Sequence, residues 1–465
     1  MQVVDFLGSP RFPTILETLS LCPVVLLVYL LDTFLLKPLT SPLRHLAGPP
    51  GGYGINGHSA QIMDLHGSTV HDWISTYGST FLVRGPLGIH HRIFTLDPRA
   101  LSHVLNNTQI YFKSPLLRNL VRRYMKEGLI VAEGERHKLQ RKVAQRLYLW
   151  YLIPISALTV RSNMAKGLKP DQKLRDHEIT GQLSTFMFAG SDTTAGTIAM
   201  GLYQLAKHPQ VQETLRAEIS GYGDNLPYEQ IDELPYLDAI AKEVLRINPS
   251  LPGTVRQTQQ DDVIPLSQPV KLSNGKIVSE LRIRKGQLVH IPIEHLHTSK
   301  GIWGSNADIF DPSRFLGSEH LEPSKTPLTA SFSSTSTSWP MGPTGPTGDQ
   351  PGSIEPIPRK TSIPSNVPSG PGVWPNFMTF IDGPRRCIGY KLALMEIKIM
   401  FFKLIKDFQV LPKEDQRVWR WNMMSTRPYV EGTLYAKGSS LPIIFKHLKG
   451  EDETTSDISI SKEVE

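Results

Sequence analysis

Cysteine is almost absent. Only Cys22 and Cys387 occur in 465 residues, so no disulfide framework holds the chain and a reducing compartment is implied. Excess charge is scarce too. A net charge of +7 from 50 basic and 43 acidic residues leaves no dense basic stripe with interleaved aromatics, which argues against a nucleic-acid partner. Mild basicity fits an acidic protein partner or an anionic membrane surface. No internal repeat is present. What is there is globular in composition, 40% hydrophobic and 20% charged, and long enough to bury a sizeable core.

There is one long apolar run. ILETLSLCPVVLLVYLLDTFLL (Ile15–Leu36) would form a helix of roughly 33 Å at ~1.5 Å per residue, enough to cross a hydrocarbon core. Glu17 and Asp32 sit near its ends. A signal peptide would carry a positive leader and a small-residue cleavage site, and neither is visible. The expectation is an uncleaved anchor over residues 1–37. Lys37 and Arg44 after the span, against Arg11 before it, favour a cytosolic body. SPLRHLAGPPGG (Ser41–Gly52) is a hinge that cannot continue a helix. The body is expected over 38–450. It is interrupted by 321–372, so rich in Pro, Ser, Thr and Gly that it reads as a disordered insertion. A polar tail, 451–465, is expected to be disordered as well.

Within the body, Phe81–Leu96 reads as a hairpin around Gly85–Gly88. Helices are expected at Glu133–Leu147, His177–Pro209 and Leu234–Pro249, and from Cys387 to about Phe408. Strands are expected within Val263–Val278 and Gly286–His297. The pattern is mainly α with small β-sheets.

Cys387 lies in FMTFIDGPRRCIGYKLALMEIK (Phe377–Lys398). A lone cysteine is most often a small buried hydrophobe. Its neighbours point elsewhere. Arg385 and Arg386 bring positive charge, and the helix that follows aims backbone N–H groups at the sulfur. Both favour thiolate, the metal-ligating form. Gly383 and Gly389 remove side chains on both sides, so a flat cofactor could approach the backbone. Phe380 can shield the sulfur from water. This is an environment for an axial thiolate on haem iron.

The spacing F-x-x-G-x-R-x-C-x-G, carried by Phe380, Gly383, Arg385, Cys387 and Gly389, resembles the cysteine-loop signature of the cytochrome P450 family. These are haem-thiolate monooxygenases, and the likeness is to the microsomal eukaryotic, fungal-like type. The resemblance implies Cys387 as proximal ligand of haem b, with Arg385 on a haem propionate. Three further stretches lie in family order. AGSDTT (Ala189–Thr194) is made of poor mid-helix residues. By itself it reads as a helix break with Asp192 as a new N-cap. The family reading is a bulge that opens a pocket over the haem, with Asp192 and Thr193 managing protons for dioxygen. In EVLR, Glu243 and Arg246 alone would be an ordinary solvated pair. With FDPSRF downstream, the resemblance implies that Arg314 joins them in a buried, structural charge cluster. In HKLQR, His137 and Arg141 share a helix face. The plain reading is a surface helix; the family reading puts both, and Arg256 of PGTVRQ, on the propionates. Lys138, Lys142 and Arg146 suit a docking face for an acidic reductase.

The chain departs from the family in one place. Only about 30 residues separate Leu147 from His177, where family members place about five helices, on the order of 100 residues. The seam is expected at Leu147–Pro154. A P450 fold lacking these helices would have no complete pocket roof. The motif helix would then show an apolar face of Leu183, Phe186, Met187, Phe188, Ile198 and Met200. The function implied is insertion of one oxygen atom from dioxygen into a hydrophobic small molecule, with NADPH electrons passed through a flavoprotein reductase. The implied setting is the endoplasmic reticulum membrane, with the catalytic domain facing the cytosol. An alternative is a truncated, haem-binding but inactive product. A reductase-independent isomerase or peroxygenase is disfavoured by the acid–threonine pair, which such chemistry does not need.

Overall fold

The structure is a computed structural model that describes residues 15–63, 68–89, 91–148, 173–316, 371–413, 416–422, 425–433 and 438–448. Nearly all of the expected insertion, the whole tail and most of the seam at Leu147–Pro154 lie outside these residues.

The principal helices are α1 (Ile15–Leu31), α2 (Ser68–Tyr77), α3 (Pro98–Asn106), α4 (Pro115–Met125), α5 (Gly134–Tyr148), α6 (Asp176–Lys207), α7 (Pro209–Ile219), α8 (Pro235–Ile247) and α9 (Tyr390–Asp407). The strands are β1 (Thr80–Val83), β2 (Arg92–Thr95), β3 (Tyr111–Lys113), β4 (Thr254–Thr258), β5 (Asp262–Lys271), β6 (Ile277–Ile283), β7 (Leu288–Ile291), β8 (Phe408–Pro412), β9 (Val418–Asn422), β10 (Thr426–Val430) and β11 (Ile443–His447). Helices thus dominate and the sheets are small, as expected. One sheet has five strands in the order β1-β2-β7-β4-β3; the others are two-stranded. Four helices open on proline at the first turn, where its missing N–H costs nothing. Asp97 also caps α3 by accepting from the N–H groups of Arg99 and Ala100, each at 3.0 Å.

From Ile15 the chain stays helical to Thr40, through a π-helical turn at Asp32–Leu36. Pro23–Thr40 is long and apolar enough to cross a membrane, with a mean hydropathy of 1.6.

The long helix α6 differs from both readings of AGSDTT. It runs unbroken for 32 residues, with neither a new N-cap at Asp192 nor a bulge. The reason is local. The Ser191, Thr193 and Thr197 hydroxyls donate to carbonyls one turn back, at 2.5, 2.6 and 2.9 Å. Bonded along the helix, they no longer compete for its backbone.

One core cluster joins α6, α7, α8 and α9; another packs the five-stranded sheet against α3. Gly201 sets the closest approach of α6 to α9: a Cβ there would lie 2.3 Å from Cζ of Phe401. The predicted bare face of α6 is smaller than expected. Phe186 and Met200 are buried, because Phe186 packs with Leu129 and Ala144. Phe188 rests on Val121, Met125 and Val131. Met187 alone of the six is strongly exposed, at 75%.

The start of α6 is tied to α5 by Glu178. This buried carboxylate accepts from the Arg136 and Arg175 guanidiniums and from Gln140 at 3.1 Å. Burial alone would raise its pKa. The hydrogen bonds from Arg175 and Arg136 outweigh that and bring it down to about 2.

Candidate functional site

The cysteine loop is built from the core outward. Phe377 and Met378 are fully buried and Phe380 nearly so. The Cys387 N–H donates to the Phe380 carbonyl at 2.8 Å, closing the loop. Gly383 has φ +69, and a Cβ there would lie 2.7 Å from the Leu105 carbonyl at the end of α3. Its small size therefore seats the loop on α3; it does not clear space for a cofactor. The helix begins three residues later than expected, at Tyr390, with Gly389 as its N-cap.

Cys387 is a free cysteine whose side chain keeps solvent exposure although protein atoms crowd around its sulfur. Burial pushes its thiol pKa up, and the Gly389 N–H and the Arg141 charge pull the other way. This corrects the expectation of a thiol already lowered by Arg385 and Arg386. Arg385 is turned to Glu133. Arg386 lies over the Tyr390 ring at 5.3 Å. The cation that acts on the sulfur is Arg141, from α5.

Beside the loop lies a crowd of positive charge. Arg385 pairs with Glu133 and donates to the Ala132 carbonyl at 3.3 Å, leaving its Nε buried without a partner. Lys113 also reaches Glu133, at 3.6 Å. Lys113 and Arg256 sit directly opposite each other on β3 and β4, a like-charged pair that is unfavourable unless an anion joins it. Burial, then Arg385, pushes the Lys113 ammonium down to about 7 and Arg256 down to about 10. His137 falls to about 3, from burial and then the charges of Arg385, Lys113 and Arg141. Lys113 and Glu133 were not anticipated from the sequence.

Lys113 and Arg385 share the Glu133 carboxylate, and Arg256 and Arg141 add two further guanidiniums, while His137 is held neutral. Buried charges in such excess need anions. The two propionates of a haem are of the right charge, and Cys387 is free and exposed beside the Arg141 charge. The residues present fit the group.

Ile388, next to the cysteine, packs against the cluster of Leu129, Ala144 and Phe186, the last of these on α6. A Cβ on Gly190, one turn on, would meet open space. Asp192 and Thr193 follow, both half-buried. The Thr193 hydroxyl donates to Ala189. The Asp192 carboxylate accepts from Ser425 at 2.5 Å and Arg427 at 2.6 Å, two contacts that sequence spacing did not suggest.

Glu243, Arg246 and Arg314 come together. Glu243 and Arg246 are fully buried and paired through two bonds of 2.7 Å. Arg314 Nε lies 3.4 Å from Glu243. Arg246 also donates to the carbonyls of His297 and Ala307, each at 2.6 Å. The trio ties α8 to the segment that ends at Phe315. On α5, Lys138 and Lys142 are exposed; the Arg146 side chain lies outside the described residues.

A model of the cytochrome P450 family matches residues 155–334 and 371–429, just over half of the chain. The match opens one residue beyond the expected seam. Cytochrome P450 monooxygenase 205 of Postia placenta is 24% identical over 578 aligned residues, covering 93% of this chain and 98% of that protein. Monooxygenase 128 of the same fungus is 25% identical and covers 90% and 95%. A ganoderic acid synthetase of Ganoderma lucidum is 31% identical over 277 residues, covering 58% of this chain and 43% of its own. The 578 aligned positions exceed the 465 residues here, so that first relative carries stretches with no counterpart in this chain.

Proposed function

The chain belongs to the cytochrome P450 family, a family of haem monooxygenases, and from that premise we propose that it oxidises a hydrophobic small molecule with NADPH electrons delivered by a flavoprotein reductase. The observation that carries this reading is Cys387, free and exposed, with the Arg141 charge acting on its sulfur and a largely buried group of Lys113, Arg256 and Arg385 that has Glu133 as its carboxylate. When bound, haem supplies the iron at which dioxygen is reduced and cleaved. Cys387 would be its thiolate ligand, and the Gly389 N–H and Arg141 would hold the negative sulfur. His137, Arg141, Arg256 and Arg385, with Lys113, would hold the propionates. Phe380 keeps water from the loop. Gly383 seats it. Asp192 and Thr193 would hold and pass protons on the far side. Glu243, Arg246 and Arg314 would fix the frame.

The apolar helix at Pro23–Thr40 suits a membrane anchor, with the body on the cytosolic face of the endoplasmic reticulum. The exposed lysines of α5 suit an acidic reductase surface.

The test is the carbon monoxide difference spectrum of the reduced, detergent-solubilised full chain. A strongly red-shifted Soret band is expected, and it should vanish in Cys387→Ser. A band that survives Cys387→Ser would overturn the ligand assignment. A second reading, a haem-binding but inactive product, is favoured by one observation: the relative's surplus of aligned positions. Product formation with a reductase separates the two.

A further inference from the structure

Ser425 and Arg427 hold the one acidic group of the AGSDTT stretch, and nothing in their spacing announces it. They lie 233 and 235 residues beyond Asp192. The contact is a built joint. Ser425 donates to Oδ2 of Asp192 and Arg427 to Oδ1, so each carboxylate oxygen is taken. Thr426, between them, donates its N–H to the Ser250 carbonyl at 2.8 Å and its hydroxyl to Pro249 at 3.0 Å. Ser250 in turn donates to the Thr193 carbonyl at 3.0 Å and meets the Thr197 hydroxyl at 2.7 Å. A Cβ on Gly196 would lie only 3.4 Å from the Thr426 carbonyl. The other strand, β9, is anchored through Arg420, which donates to Ile247 at 2.8 Å and pairs with Glu294 at 2.5 Å. The hairpin is thus fastened at both strands, and its second strand lies on the stretch of α6 that carries Asp192 and Thr193.

We propose that the β9–β10 hairpin, through Ser425 and Arg427, sets the direction of the Asp192 carboxylate during turnover. They are positioning residues: they act through Asp192, and the proposal rests on the reading of Asp192 as a proton-handling group. Charge-assisted donors to both oxygens fix the plane of a carboxylate more tightly than either alone. Displacing such a group by an ångström is enough to slow proton transfer.

The test uses the haem-loaded full chain, NADPH and a flavoprotein reductase, with no added substrate. Dioxygen that leaves as hydrogen peroxide takes two electrons and two protons. Dioxygen that leaves as two waters takes four of each. The ratio of peroxide to NADPH therefore reads proton delivery directly. Arg427→Met is expected to raise the peroxide share about tenfold. Arg427→Lys should give a smaller rise, and Ser425→Ala a rise in the same direction. Asp192→Asn should raise the peroxide share too, and Arg427→Met should add nothing in that background. In the haem-free chain, Arg427→Met should speed amide exchange in the 189–197 segment. Equal effects of Arg427→Met with and without Asp192, or unchanged exchange, overturn the hairpin proposal alone. An unchanged peroxide share in Asp192→Asn overturns the proton-handling reading, and the positioning role with it.

Discussion

The two ends of α6 differ sharply. Towards its C-terminus Gly201 lets Phe401 in to contact, and Arg246, Phe401 and Phe402 are fully buried. Towards its N-terminus Met187, on nearly the same helix face about four turns earlier, is 75% exposed. The neighbouring helix α4 shows Leu116, Leu120 and Tyr124 at 80, 45 and 69%. These three recur every fourth residue, so they form one apolar stripe. The packed end shares its core with Phe377, Phe380 and α8. The open end is the one next to the expected gap between Leu147 and His177.

The largest way to break this contrast is to attack the packed end. Glu243→Gln leaves Arg246 buried without its carboxylate. Breaking a buried pair in this way costs about 3–5 kcal/mol, a large part of the stability of an ordinary domain. The expected outcome is a sharply lower denaturant midpoint and poor haem incorporation. A midpoint within error of the parent would mean that the trio is not a keystone.

Next comes the joint between α5 and α6. Glu178→Gln weakens bonds to two guanidiniums and should cost about 1–3 kcal/mol. The acid sensitivity follows from the same group. Its folded carboxyl, at about 2, lies below the unfolded value of about 4.3. Its contribution is therefore complete above the unfolded value and lost as pH falls towards 2. Acid unfolding between about pH 5 and 2 should be shallower in Glu178→Gln. An unchanged acid limb would show that the joint is already open in solution.

Much of this was legible in the sequence, and the reason is locality. Phe380 to Gly389 spans ten residues, so its chemistry could be read in one window. The helices expected at Glu133–Leu147, His177–Pro209 and Leu234–Pro249 correspond to α5, α6 and α8 to within about two residues at each end. EVLR and FDPSRF could be matched to one another through the family pattern. Contacts between distant, ordinary polar residues could not be read. Lys113 meets Arg256 only because β3 pairs with β4. Ser425 and Arg427 meet Asp192 only because the hairpin folds over α6. Glu133, named only as the first residue of an expected helix, is the carboxylate shared by Lys113 and Arg385. The thiol direction was misjudged for a related reason: desolvation depends on what surrounds the sulfur, which the sequence does not display.

The third prediction concerns the charge cluster. With its pKa at about 7 in the haem-free chain, Lys113 is largely neutral at pH 8. A propionate beside it favours the ammonium form. Haem uptake at pH 8 should therefore bind a proton, and haem affinity should fall as pH rises above 7, by up to about tenfold per unit. Lys113→Met should flatten that dependence. An affinity that rises with pH in the parent would exclude the cluster as the propionate site.

The smallest effect lies at the open end, and it tests the contrast most directly. A side chain exposed like Met187 makes few contacts, so Met187→Ser should change stability by no more than about 0.5 kcal/mol. It should also improve solubility, because it removes an exposed apolar side chain. Suppose instead that the substitution costs about 2–5 kcal/mol, as truncation of a buried methionine does. Then Met187 is packed in solution, and the two ends of α6 are equally closed. Thermal unfolding of the pair Met187→Ser and Met200→Ser decides between these outcomes. Met200, 4% exposed on the same helix, supplies the buried reference. A wide gap between the two variants upholds the contrast, and equal losses abolish it.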